Sequence, residues 1–98
     1  MHITDFSLDF FSLEGKRAIV TGGNTGLGQG FALALAKAGA DIYVPGLYAD
    51  GGETAELVRA EGRRYEELAI DITEPGAPAA AVASCVETLG GVDILVNS

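Results

Sequence analysis

The amino-acid sequence predicts an α/β fold, a doubly wound parallel sheet of four strands in the order 3-2-1-4 with three connecting helices. Three observations carry this. Apolar, β-branched segments alternate with segments of helical periodicity, and no hairpin signal separates any two strands, the pattern of successive right-handed βαβ units. The runs Ala18-Ile19-Val20 and Ile94-Leu95-Val96 are continuously apolar, as expected of strands buried on both faces. The first strand also runs straight into a glycine-rich junction from Thr21 to Gly30.

Taken in order, residues 1–14 read as a polar and aromatic lead-in, and residues 15–98 as the folded domain. Within the lead-in, Phe6-Ser7-Leu8-Asp9-Phe10 is echoed by Phe11-Ser12-Leu13-Glu14. The echo is too short to be a repeat architecture, and the phenylalanines are expected against the outside of the domain. Strand one is expected at Arg17 to Thr21. The first helix runs from Gly26 to Ala38, with Leu27, Phe31 and Leu35 one turn apart on a single face and Gly39 as its stop. Strand two follows at Asp41 to Val44 and ends at Pro45-Gly46. A second helix, Gly52 to Glu61, turns Leu57 and Val58 inward before Gly62. Strand three is expected at Tyr65 to Ile70. The third helix, Ala77 to Leu89, has Val82, Val86 and Leu89 as its buried stripe and ends at Gly90-Gly91; strand four is Val92 to Val96.

Composition bounds what such a domain does. Ninety-eight residues, 48% of them hydrophobic, are enough to bury a core. A net charge of −8 and a pI near 4.3 argue against a footprint on nucleic acid or on an anionic membrane. The single cysteine, Cys85, has no thiol partner and sits in an apolar helical pattern, where a small core residue is expected. No apolar run approaches the ~20 residues of a membrane span, and the N-terminus carries acids where a signal peptide has a basic region. The expected location is the cytoplasm.

The glycine junction points to an anion. A helix N-terminus presents unpaired N–H groups and the positive end of the helix dipole, and glycines let a phosphate approach the backbone. A P-loop requires Lys and then Ser or Thr after its last glycine, and here Gln29 and Gly30 stand there. The dinucleotide fingerprint G-x-G-x-x-G fits in part, because Gly26 and Gly28 are followed by Phe31 in place of the third glycine. What the chain carries is T-G-x-x-x-G-x-G, on Thr21, Gly22, Gly26 and Gly28. Glycines serving turn geometry alone are the alternative. In a 3-2-1-4 sheet the ligand crevice opens at the carboxyl ends of strands one and four, where the glycine loop and Asn97 meet.

These residues resemble the coenzyme loop of the short-chain dehydrogenase/reductase family, and the resemblance extends from Phe11 onward. It implies a Rossmann-type fold, of which this chain holds the amino-terminal half. Asp71-Ile72 stands where the family has an acid that takes the adenine amino group, with the next N–H meeting a ring nitrogen; an acid capping the following helix is the other reading. Asn97-Ser98 resembles the opening of the family's N-[NS]-A-G motif, in which Asn97 borders the coenzyme. Gly15-Lys16-Arg17 ahead of the strand is also family-like, the basic pair otherwise being a solvated strand entrance. Within the family, Phe11-Ser12-Leu13-Glu14-Gly15-Lys16 and Thr25-Gly26-Leu27-Gly28-Gln29-Gly30 look most like the gluconate-type sugar-acid dehydrogenases.

The coenzyme residues implied are Gly22, Asn24, Thr25, Gly26, Leu27, Gly28, Leu47, Tyr48, Asp71, Ile72 and Asn97. NAD-specific members end strand two with an acid that binds the ribose hydroxyls and repels a 2′-phosphate; here Gly46 stands there, followed by Leu47 and Tyr48. Asp50 is the nearest acid, as a ribose ligand from the loop or as a solvated turn residue. NADP-specific members carry Arg or Lys at these places, and Asn24, Thr25, Leu47 and Tyr48 supply no positive charge. NAD is therefore expected, with NADP left open. No metal is implied.

Family chemistry uses a tyrosine that moves the alcohol proton, a lysine four residues later and a serine. Tyr43, Tyr48 and Tyr65 are followed four residues on by Leu47, Gly52 and Ala69. Ser84 lies in the third helix, Ser98 in the coenzyme motif, and His2 alone in the lead-in, so no catalytic residue is assigned. The expectation is a coenzyme-binding half cut within Asn97-Ser98, from a homo-oligomeric, tetrameric enzyme that interconverts a secondary alcohol and a ketone on a sugar acid. Strand four would then be a bare apolar edge. The alternatives are a complete, non-catalytic nucleotide-binding or assembly module, and a structural domain.

Overall fold

The computed structural model describes residues 11–98; Phe6, Phe10 and His2 of the lead-in lie outside the described residues. The elements are β1 (Arg17–Thr21), α1 (Gly26–Lys37), β2 (Asp41–Gly46), α2 (Glu53–Ala60), β3 (Tyr65–Ala69), α3 (Ala77–Leu89) and β4 (Ile94–Asn97). The sheet order is β3-β2-β1-β4 and every pairing is parallel. Each crossover is helical, so α1 and α2 cover one face of the sheet and α3 the other.

The strand pleat divides the core accordingly. Ala18 and Val20 of β1 and Ile42 and Val44 of β2 pack with Ala32, Ala36 and Val58 on the α1/α2 face. Ile19 and Tyr43 point the other way, to Cys85 and Leu89 of α3. Cys85 is fully buried, its thiol donates to the Gly91 carbonyl (3.4 Å), and burial pushes its pKa up. It is a core residue.

The helix faces differ from the sequence expectation. In α1 the buried stripe is Gly28, Ala32 and Ala36, whereas Leu27 is 73% exposed and Phe31 40%. In α3 it is Ala77, Ala81, Cys85 and Leu89, with Val82 and Val86 about half exposed. Both stripes repeat every four residues and consist mostly of the smallest side chains available. A helix seated directly on a sheet needs small residues at the line of closest approach, and the larger apolar groups flank that line. In α2 Val58 is fully buried as expected and Leu57 half-buried.

Strand four also differs. It begins at Ile94, because Asp93 is occupied at the strand entrance: the Arg17 N–H and Nε donate to Asp93 Oδ2 (2.9 and 3.0 Å), and the Asp93 N–H donates to the Arg17 carbonyl. Ile94 and Val96 pack against the α1/α2 core, but Leu95, on the other face, is 65% exposed. The run is thus only partly buried, and on one face, because α3 packs over β1, β2 and β3. Among the described residues β4 pairs only with β1.

Candidate functional site

The carboxyl ends of β1 and β4 hold the glycine loop. After Thr21 the chain turns through Gly22 at φ +63°, a conformation only glycine adopts without strain. Gly22 offers its carbonyl to Thr25, which donates both its backbone N–H (3.2 Å) and its hydroxyl (3.1 Å) to it. Thr25 is the N-cap of α1, but its side chain is turned back into the loop. The first amide of the helix to bond backward is Gln29, to the Thr25 carbonyl (3.1 Å). Among the described residues no side chain caps the N–H groups of Gly26, Leu27 and Gly28, and no acid stands in the first turn. The positive end of the helix therefore faces outward without a counter-charge of its own.

Gly28 is required by contact rather than conformation. A Cβ there would lie 2.1 Å from the Gly22 carbonyl oxygen and 2.8 Å from the Ser98 hydroxyl. Gly23, which is not among the coenzyme residues expected from the sequence, is also confined, since a Cβ would meet Val44 at 2.8 Å and the Val20 carbonyl at 2.9 Å. Doubled glycines at a strand end were the available signal.

Thr21 joins the two strand ends. Its hydroxyl donates to Asn97 Oδ1 (2.9 Å) and accepts from the Ser98 N–H (3.0 Å), and the Ser98 hydroxyl donates to the Thr21 carbonyl (2.7 Å). This brings Gly22, Thr25, Gly26, Leu27, Gly28 and Asn97 around one cavity of about 470 Å³, with Phe31 and Ser98 also lining it. Thr21 and Ser98, which the sequence places in motifs but which are not among the coenzyme residues expected from it, are therefore site-building residues.

Asn24, Leu47 and Tyr48 gather in a second, smaller cavity of about 140 Å³ at the end of β2, bordered by Gly46 and Glu67. Asn24 is 7% exposed and its Nδ2 donates to the Tyr48 carbonyl (2.5 Å). Asp50 is held as a cap of α2. It accepts from the N–H groups of Gly52 and Thr54 (2.9 Å each) and from the Thr54 hydroxyl (2.5 Å). The Thr54 bonds hold its carboxyl below the usual range. Gln29 donates to the buried Thr54 hydroxyl (2.9 Å) and so ties α1 to α2.

Ile72 lines a third cavity, about 270 Å³, together with Thr21, Leu95 and Asn97, so Asn97 borders two of the three. Asp71 lines none of them. Its Oδ1 accepts from the N–H (2.9 Å) and hydroxyl (2.5 Å) of Thr73, which lower its pKa. Among the described residues no group of three His, Cys, Asp or Glu could hold a metal ion, and no helix is long and apolar enough to cross a membrane.

Comparison with known proteins adds to this geometry. Residues 16–98 match the model of the short chain dehydrogenase family. The "uncharacterized oxidoreductase YgcW" of Escherichia coli K12 is 56% identical over 93 residues, which are 95% of this chain and 36% of that protein. The 2-dehydro-3-deoxy-D-gluconate 5-dehydrogenase of Dickeya dadantii is 46% identical over 91 residues, 93% of this chain and 36% of that protein. Among solved structures, a 7α-hydroxysteroid dehydrogenase in complex with NADH and 7-oxo-glycochenodeoxycholic acid superposes with a TM-score of 0.86 at 34% identity, over 94% of this chain and 36% of the other. The chain thus spans about a third of the length of the curated relatives it matches.

Proposed function

The chain belongs to the short-chain dehydrogenase family, and we propose that it is the coenzyme-binding part of an NAD(P)-dependent oxidoreductase acting on a secondary alcohol or ketone of a sugar acid. One observation carries the coenzyme reading. Gly28 packs where any Cβ would strike the Gly22 carbonyl, directly below a cavity into which the uncapped first turn of α1 opens. Glycine at that contact and free N–H groups above it fit a pyrophosphate at a helix N-terminus.

In this reading Gly22, Thr25, Gly26, Leu27 and Gly28 cradle the pyrophosphate, and Asn97, fixed by Thr21, borders it from β4. Asn24, Leu47 and Tyr48 bound the adenosine ribose, and Asp71 and Ile72 meet the adenine edge. When bound, a nicotinamide coenzyme supplies the hydride acceptor or donor. What this chain does is bind, orient and exclude water. None of its tyrosines has a lysine four residues on, so proton transfer at the substrate oxygen is assigned no residue here. Residues 15–98 form the coenzyme half-domain, working in the cytoplasm as part of a homo-oligomer of the tetrameric kind. The sugar-acid substrate rests on the name of the Dickeya relative and its homologues.

NADH fluorescence tests the reading. A saturable change on titration, lost in Gly22→Val and Gly28→Val variants that still fold, supports it. No saturable signal overturns it.

A further inference from the structure

In dinucleotide-binding folds an acid ending the second strand accepts the ribose 2′-hydroxyl and repels a 2′-phosphate. Here β2 ends at Gly46, which cannot do so. The cavity beside Gly46 nevertheless has a defined polarity. Asn24 donates its amide nitrogen to the Tyr48 carbonyl, and among the described residues its Oδ1 accepts no hydrogen bond. That oxygen lies 3.8 Å from where a Gly46 Cβ would be, so it faces the space a longer side chain would fill. Among the described residues, the charged side chain on the cavity wall is Glu67 of β3.

Glu67 reaches this place through the register. It pairs with Val44, two residues before Gly46, and so shares the sheet face of Val44 and Asn24's loop. Tyr65, two residues earlier on the same face, donates its hydroxyl to Glu67 Oε2 (3.0 Å) and limits where the carboxylate can swing. Arg59, beside Tyr65, is engaged with that residue: Nη2 donates to the Tyr65 carbonyl (3.0 Å) and the guanidinium lies over the Tyr65 ring. Among the described residues no Lys or Arg lines the cavity. The wall thus offers acceptors and negative charge to whatever enters.

We propose that Glu67 is the coenzyme-specificity residue of this protein, a carboxylate supplied from β3 that excludes a ribose 2′-phosphate where β2 lacks the acid. Asn24 Oδ1 accepts the 2′-hydroxyl of NAD beside it. The hydroxyl has one proton and gives it to either acceptor, whereas a 2′-phosphate has no proton to give at neutral pH and meets like charge. The proposal rests on the coenzyme reading above. A doubly charged phosphate facing one carboxylate across several ångströms of partly screened space is disfavoured on the order of tenfold or more.

The test compares dissociation constants for NADH and NADPH by fluorescence titration in the wild type, Glu67→Gln and Glu66→Gln. Gln keeps an acceptor for the Tyr65 hydroxyl, and thermal melting confirms folding. Glu66 is the neighbouring residue on the opposite face of β3 and controls for net charge. The wild type should bind NADH at least tenfold tighter than NADPH. Glu67→Gln should close that gap about tenfold by improving NADPH, and Glu66→Gln should leave it. An unchanged gap in Glu67→Gln, an equal closing in Glu66→Gln, or a wild type that prefers NADPH overturns the role of Glu67 while NADH binding stands. A wild type that binds neither coenzyme overturns the coenzyme reading and this proposal with it.

Discussion

Gly28→Ala is the sharpest perturbation of the loop. The added methyl would sit 2.1 Å from the Gly22 carbonyl oxygen, and contacts below 3.0 Å do not occur, so backbone must separate by about 0.9 Å. The closest atoms, the Gly22 carbonyl oxygen and carbon, are backbone, so turning the Ser98 hydroxyl away does not relieve the clash. Either α1 lifts from the sheet, or Gly22 moves and breaks the two bonds from Thr25. Overpacking of this kind costs about 1–3 kcal/mol, which in a domain of this size lowers Tm by roughly 4–8 °C per kcal/mol. Because the displaced carbonyl floors the proposed phosphate cradle, NADH affinity should fall about tenfold or more, the equivalent of ~1.4 kcal/mol. Thermal melting and NADH titration on the same sample read both effects. Gly30→Ala is the matched control: nothing lies within 4 Å of its Cβ, it is in α1, and losing glycine there should stabilise by about 0.5–1 kcal/mol. A Gly28→Ala protein with unchanged Tm and affinity, or a Gly30→Ala protein equally damaged, would refute the packing argument.

Gly23→Ala should destabilise by about 1–3 kcal/mol in denaturant unfolding, since its Cβ would strike Val44 and the Val20 carbonyl. Thr21→Val removes the partner of Asn97 Oδ1 and of the Ser98 N–H together; a loss of about 1–3 kcal/mol is expected, with weaker NADH binding, and an unaltered denaturation midpoint would count against the bridge. Thr54→Val removes the hydroxyl that bonds Asp50 and Gln29 at a fully buried position, leaves the N–H bond to Asp50, and should cost about 1–2 kcal/mol, read the same way. Asp93 has its pKa lowered from 3.8 chiefly by the Arg17 side chain. A carboxylate with a folded value below its unfolded one stabilises fully above the unfolded value, and that contribution is lost as the pH falls below 3.8. Melting curves of Asp93→Asn against pH should therefore show a shallower acid decline than the wild type.

The topology was legible because its cause is local. Each strand is an apolar run bounded by a turn, and a run that lacks a hairpin signal must cross over by a helix, which sets a parallel order. The faces of α1 and α3 were not legible by hydrophobicity, because Leu27, Phe31, Val82 and Val86 outweigh alanine and glycine in any apolar pattern. The packing instead selected Gly28, Ala32 and Ala36, and Ala77, Ala81 and Cys85, since the distance from helix to sheet rewards small volume. The glycine loop could be read from spacing, as its geometry lies within ten residues. The Thr21–Asn97–Ser98 bridge and the approach of Glu67 to the Asn24 cavity span long separations in sequence, and only the strand register brings them together.

The measurement that bears most directly on the proposed function is amide chemical-shift mapping of the isotope-labelled protein on titration with NAD. The account predicts saturable shifts concentrated at Gly22 and Asn24 to Gly28, with further shifts at Ile72 and Asn97, all following one dissociation constant. Shifts absent from the glycine loop, or saturable shifts centred elsewhere on the sheet, would contradict it.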